Sequence, residues 1–161
     1  MQMTAQAAWW FLPAVLPIAI YIAWNDMRTM KITNLSVGAL LLVFALLGPF
    51  AFGVETYLWQ WLHVPVVLLI CMVLWMLKLM GGGDAKMIAV MSPYVLLADI
   101  MLFMLIFATS LIAALAVHSL FRFTALRQLA PGWKSWQAGR YFPKGLPLGM
   151  ALVFYLVLAV V

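Results

Sequence analysis

Asp84 follows three consecutive glycines in Leu79-Met80-Gly81-Gly82-Gly83-Asp84-Ala85-Lys86, a short break between two apolar runs. Each glycine costs about 1 kcal/mol against alanine inside a helix, so the triplet is not there for helix stability. A second acid, Asp26, closes an earlier apolar run in Trp24-Asn25-Asp26-Met27-Arg28. If helix packing brings these two carboxylates together at a partly dry site, they cannot both ionise cheaply, and the pair holds one proton. One member can then act as base on a water while the other, protonated, polarises a scissile carbonyl. That is the acid–base chemistry of aspartic proteolysis. Gly81, Gly82 and Gly83 acquire a role in it, because residues without Cβ let an extended substrate backbone approach Asp84 and permit turns that other residues resist. Lys86 is grouped with them on the substrate side.

Each piece has a plainer reading. Asp26 beside Arg28 could be an interfacial anchor that sets orientation. Asp84 could cap the helix that follows it, where a carboxylate is favourable by about 0.3–1 kcal/mol. The triple glycine could be a simple loop. The other two acids, Glu55 and Asp99, read as residues of the opposite interface, and Asp99→Ala should be nearly neutral for catalysis. His63 and His118 fall in different apolar segments toward opposite faces, so each reads as a hydrogen-bonded structural or interfacial histidine, and a shared metal is not expected. The single Cys71 excludes an intrachain disulfide and a cysteine-based metal cluster. No cofactor is expected.

The elements that must position the acids are membrane helices. The chain is 68% hydrophobic and only 8% charged, with a mean hydropathy of +1.14, far from the roughly 25% charged residues of a globular protein. Its excess of Lys and Arg therefore reports membrane orientation and not a nucleic-acid partner; the lipid bilayer is the partner composition implies. Apolar runs near 9–25, 35–53, 58–79, 85–98, 99–121 and 146 to the C-terminus predict an all-α, polytopic bundle of about six transmembrane helices. The fourth is short and interrupted by Pro93. Thr33, Asn34 and Ser36 precede or open the second, and any of them could cap it. The first run lacks the basic flank and cleavage site of a secretory signal and is read as a span.

Basic residues fall in only three connections: Arg28 and Lys31; Lys78 and Lys86; and Arg122, Arg127, Lys134, Arg140 and Lys144. Under the positive-inside rule this alternation places both termini outside the cytoplasm and puts Asp26 and Asp84 at cytoplasmic helix ends. The loop near 122–145 interleaves basic residues with Leu126, Leu129, Trp133, Trp136 and Tyr141, and reads as a cytoplasmic segment lying on the membrane surface, broken in two by Pro131 and Gly132. The whole of 1–161 reads as one integral membrane domain.

Gly81-Gly82-Gly83-Asp84-Ala85-Lys86 resembles the GxGD-x-K signature of the type IV prepilin peptidases, a family of membrane-embedded aspartic proteases. Asp26-Met27-Arg28-Thr29-Met30-Lys31-Ile32-Thr33-Asn34 is similar to that family's first-aspartate motif, with Thr33 where proline is usual. Pro147-Leu148-Gly149 resembles a further, weaker feature. The resemblance implies Asp26 and Asp84 as the catalytic pair and a prepilin as substrate, its basic leader cut after a glycine at the inner face of a bacterial cytoplasmic membrane. Long family members carry a four-cysteine metal site and also methylate the new N-terminus. This chain resembles the short, peptidase-only branch serving tight-adherence (Flp-type) pili, so no methylation is expected. Two other classes remain open on the residues alone: a small ion- or proton-coupled transporter, and a non-catalytic subunit of a pilus or secretion assembly.

Overall fold

The structure is a computed structural model describing residues 1–139 and 141–161; Arg140, counted among the basic loop residues, lies outside the described residues. The described residues form six α-helices: α1 (Ala5–Thr29), α2 (Asn34–Ala51), α3 (Val54–Met76), α4 (Gly82–Met91), α5 (Ile100–Phe123) and α6 (Gly145–Val160). Among the described residues there is no strand. α1, α2, α3 and the stretch 97–123 containing α5 are long and apolar enough to cross a membrane.

Local signals account for the ends of α1 and α2. Thr4 caps α1 by accepting from the Ala7 N–H at 3.2 Å. Met30 closes it in the left-handed conformation, φ 58°, donating its N–H to the Asp26 carbonyl. Of the three possible caps for α2, Thr33 does the work, accepting from the Ser36 N–H at 3.2 Å. Proline could not supply this side-chain acceptor at that position, which gives the Thr33 departure a local function.

The fourth segment crosses most of the bundle without being one long helix. α4 is followed by 3₁₀ turns at Ser92–Tyr94 and Leu97–Asp99. A 3₁₀ helix rises about 2.0 Å per residue against 1.5 Å for an α-helix, so fewer residues cover the same depth. The path is pinned by Tyr94, fully buried, whose hydroxyl donates to the Leu40 carbonyl at 2.6 Å, and by Gln60, whose amide donates to the carbonyls of Pro93 and Val95. Phe11, Phe44 and Tyr94 pack edge and face around it to form the core between α1, α2 and α4.

α1 packs on α2 and α6, α5 on α6, and α3 on α4. Gly149 sits against the Ala19 carbonyl, where an added Cβ would lie 3.1 Å from that oxygen, so the small residue sets how closely α1 and α6 approach. The chain ends of this bundle sort cleanly. The N-terminus meets Asp99, and Tyr155 near the end of α6 also meets Asp99, whereas Asp26, Asp84 and the start of α6 share the other end. All the described Lys and Arg lie in or beside the connections at that second end.

Three expectations are corrected here. Asp99 is at the end opposite Asp26, as its position implied, but it is buried, accepting from the backbone N–H of Gln2 and Met3 and from the Tyr155 hydroxyl at 2.7–2.9 Å. It ties the N-terminus to α6 and is no surface residue. The expected hydrogen bonds of the histidines are missing at one ring nitrogen each: His63 Nδ1 and His118 Nε2 are buried without a partner among the described residues, and His118 stacks on Trp136 at 5.0 Å. Finally, the 122–145 loop does not simply lie on a surface. It folds into two 3₁₀ turns, Ala125–Leu129 and Lys134–Gln137, and buries Trp136, whose indole N–H donates to the Ala130 carbonyl at 2.7 Å.

Candidate active site

Asp26 lies one turn before the end of α1, and Asp84 in the first turn of α4. Both line one cavity of about 830 Å³, together with Met30 to Ile32, Lys78 to Gly83, and Ala138, Tyr141, Phe142 and Lys144 from the segment before α6. Asp26 is 5% exposed, while the Asp84 side chain keeps 16% of its surface.

The two sequence motifs interlock, which explains how residues so far apart in the chain stay in register. Gly83 faces Ile32: an added Cβ would sit 3.4 Å from the Ile32 Cβ and 3.7 Å from its backbone nitrogen. Two residues on, Asn34 accepts from Lys86 Nζ at 3.0 Å. The turn is braced from α1 by Asn25, whose amide donates to the Lys31 carbonyl at 2.7 Å. The connection after Asp26 and the start of α4 therefore hold each other by backbone approach and by a side-chain hydrogen bond.

This geometry refines the roles expected of the glycines and of Lys86. None of Gly81, Gly82 and Gly83 has a positive φ; among non-glycine described residues, Met30 and Lys78 do, both at φ 58°. The triplet is therefore not required by turn conformation, which corrects that part of the expectation. What distinguishes its members is proximity. A Cβ on Gly81 would lie 3.1 Å from Asp84 Oδ2, and one on Gly82 only at ordinary contact, 3.5 Å, from the Trp75 indole nitrogen. All three line the cavity. Lys86 does not; it is exposed and serves the link to α2.

Two residues that sequence reasoning passed over complete the site. Gly145, the first residue of α6, donates its N–H to Asp26 Oδ2 at 2.7 Å, in the range of a charge-assisted hydrogen bond. A helix N-terminus carries unsatisfied N–H groups and partial positive charge, so this contact compensates part of what burial of the Asp26 carboxylate costs. Its neighbour Lys144 places Nζ 3.4 Å from Asp84 Oδ2. One end of one helix thus engages both acids. Gly145 must be glycine for this approach, since a Cβ there would lie 2.9 Å from the Asp26 Cβ and 3.0 Å from Oδ2. The available signal was Lys144-Gly145-Leu146, immediately ahead of the Pro147-Leu148-Gly149 feature.

Chemically the arrangement offers two carboxylates, a backbone donor and an ammonium at the mouth of a cavity walled by glycine. Among the described residues no group of three or more His, Cys, Asp and Glu is placed to hold a metal ion. A family model described as the type IV leader peptidase family matches residues 13–118, which include both acids and the glycine triplet and stop short of Lys144 and Gly145. Searches of curated proteins and of solved structures gave no match.

Proposed function

We propose, from the premise that this chain belongs to the type IV leader peptidase family, that it is a membrane-embedded aspartyl endopeptidase with Asp26 and Asp84 as its catalytic pair. The substrate is a type IV-like prepilin, cut at its leader. The observation that carries this reading is the convergence of the two acids, from α1 and α4, on one cavity at the basic end of a helical membrane bundle. Under the positive-inside rule that end is cytoplasmic and both termini lie outside, which fits a bacterial inner-membrane enzyme acting on a leader that stays in the cytoplasm. A transporter would carry its acids near the midplane; here they share one boundary.

In this mechanism the substrate backbone runs extended along Gly81 to Gly83. One carboxylate takes a proton from a water as its oxygen attacks the scissile carbonyl carbon, and the other, protonated, donates to the carbonyl oxygen. The tetrahedral intermediate then collapses, the C–N bond breaks, and the departing nitrogen takes up a proton from the pair. The Gly145 N–H holds Asp26 in place throughout. Lys144 has to loosen from Asp84 for that oxygen to reach water or carbonyl. Cys71, buried in α3, is the one cysteine of this sequence and does not itself supply a four-cysteine site, which supports a reading in which cleavage proceeds without methylation of the new pilin N-terminus.

The test is cleavage of a Flp-type prepilin in membranes. Asp26→Asn and Asp84→Asn should each abolish processing at normal protein levels, and substantial processing by either variant would refute the pair. Mass spectrometry of the mature pilin should show a free, unmethylated N-terminus.

A further inference from the structure

α3 and α5 share no extensive contact among the described residues. Between them, above the short α4, runs an apolar groove of about 390 Å³, walled by Ile70 and Leu74 of α3 and by Met104 and Phe107 of α5, with Ile88 and Met91 of α4 as its floor. It adjoins the catalytic cavity: Met80, next to the glycine triplet, lines both. From there the groove extends to Leu97 and Ile100, beside Asp99 at the opposite end of the bundle. Its lining is apolar except for His63 and Ser92, and the Ser92 hydroxyl is occupied by the Ala89 carbonyl.

We infer that this groove seats the apolar stem helix of the prepilin, directly after the scissile bond. The inference rests on the peptidase reading of the site. A bond cut at Asp84 must be followed by a segment that leaves the cavity and continues into the bilayer. The surface that receives it has to begin at the glycines, be apolar, and run toward the other face. The α3–α5 groove meets all three requirements. A second apolar groove of about 410 Å³, between α1 and α6, shares no lining residue with the catalytic cavity. The α3–α5 groove is too small to enclose a helix and fits instead the side chains of one helix face, the other face remaining toward lipid.

The experiment uses the full chain in lipid vesicles with a Flp-type prepilin. With the inactive Asp84→Asn background, a photoreactive phenylalanine at Met104 should form an adduct with the prepilin stem in at least about tenfold higher yield than one at Ile20, in the α1–α6 groove. Equal yields, or adducts from Met104 to lipid alone, overturn the assignment. In the active chain, Ile70→Trp should raise KM for the prepilin by about tenfold with little change in kcat, the signature of lost uniform binding. It should leave cleavage of a leader peptide truncated just past the scissile bond unaltered, and an unchanged KM for the prepilin overturns the assignment. If the unsubstituted chain cuts neither substrate, the peptidase reading fails and the groove assignment falls with it. If it cuts both while the Met104 adduct is missing, the groove assignment alone fails.

Discussion

Gly145→Ala is the sharpest perturbation of the site, because it adds one methyl group at a known position and removes no functional side chain. The new Cβ would lie 2.9 Å from the Asp26 Cβ and 3.0 Å from its Oδ2. Carbon–carbon contacts settle near 3.5–4.0 Å, so the first turn of α6 and Asp26 must separate by roughly 0.5–1 Å. The hydrogen bond from the Gly145 N–H, now 2.7 Å, would lengthen beyond useful geometry. A hydrogen bond to a charged group is worth about 1.5–3 kcal/mol, and 1.36 kcal/mol is a tenfold change in rate. A kcat lower by about ten- to a hundredfold follows, with KM nearly unchanged, since the contact holds a reacting group and not the substrate. The assay is prepilin cleavage by purified protein in detergent or vesicles. Gly132→Ala serves as control, as nothing lies within 4 Å of a Cβ there. Gly145→Ala activity within twofold of the parent, in protein that folds normally, would refute the claim that the α6 N-terminus positions Asp26.

The glycine triplet should respond unequally: Gly81→Ala pushes on Asp84 Oδ2 and should lower kcat, whereas Gly82→Ala meets only ordinary contacts within the chain, so it should keep or gain stability, by up to about 1 kcal/mol through helix propensity, and act on cleavage only through the substrate backbone, as a raised KM. Parallel cleavage and thermal-unfolding measurements on the two variants check this. Asp99→Ala strands the buried N–H groups of Gln2 and Met3 and the Tyr155 hydroxyl; at about 1–3 kcal/mol for each orphaned group, it should cost on the order of 3 kcal/mol. Thermal unfolding in detergent should show the loss, while the specific activity of the folded fraction stays intact. Lys144→Met breaks a half-exposed ion pair, so its stability effect should stay below about 1 kcal/mol. Any larger change in cleavage rate would report the access of Asp84 to its substrate, read as kcat against an unchanged melting curve.

Much of this architecture is legible along the chain because its causes are local. Long apolar runs force backbone groups to satisfy themselves as helices, so the segments near 9–25, 35–53, 58–79 and 99–121 correspond to α1, α2, α3 and α5 within a few residues. The clustering of Lys and Arg in alternate connections marks one end of the bundle for the same reason, since charge distribution follows the order of segments. Asp26 and Asp84 stood out by residue type and by the glycines beside one of them. Even the weak fourth segment was visible, although Pro93 and its shortness gave no hint that 3₁₀ turns would carry it on to Asp99.

Only the packing of helices decides what those residues meet. Nothing in the spacing along the chain tells that Gly83 rests against Ile32, that Lys86 turns toward Asn34 and away from the cavity, or that Asp99 gathers three donors from both ends of the chain. Gly145 and Lys144 escape sequence reasoning for the same reason: a glycine and a lysine before an apolar helix are commonplace, and their importance comes from where α1 and α4 place two carboxylates. The open groove between α3 and α5 is likewise a property of how neighbouring helices are spaced. Local chemistry determined that this chain would cross a membrane and where it would break. Three-dimensional packing, which joins positions far apart in the chain, decided that the break at Gly81-Gly82-Gly83-Asp84 faces Asp26 and the first turn of α6.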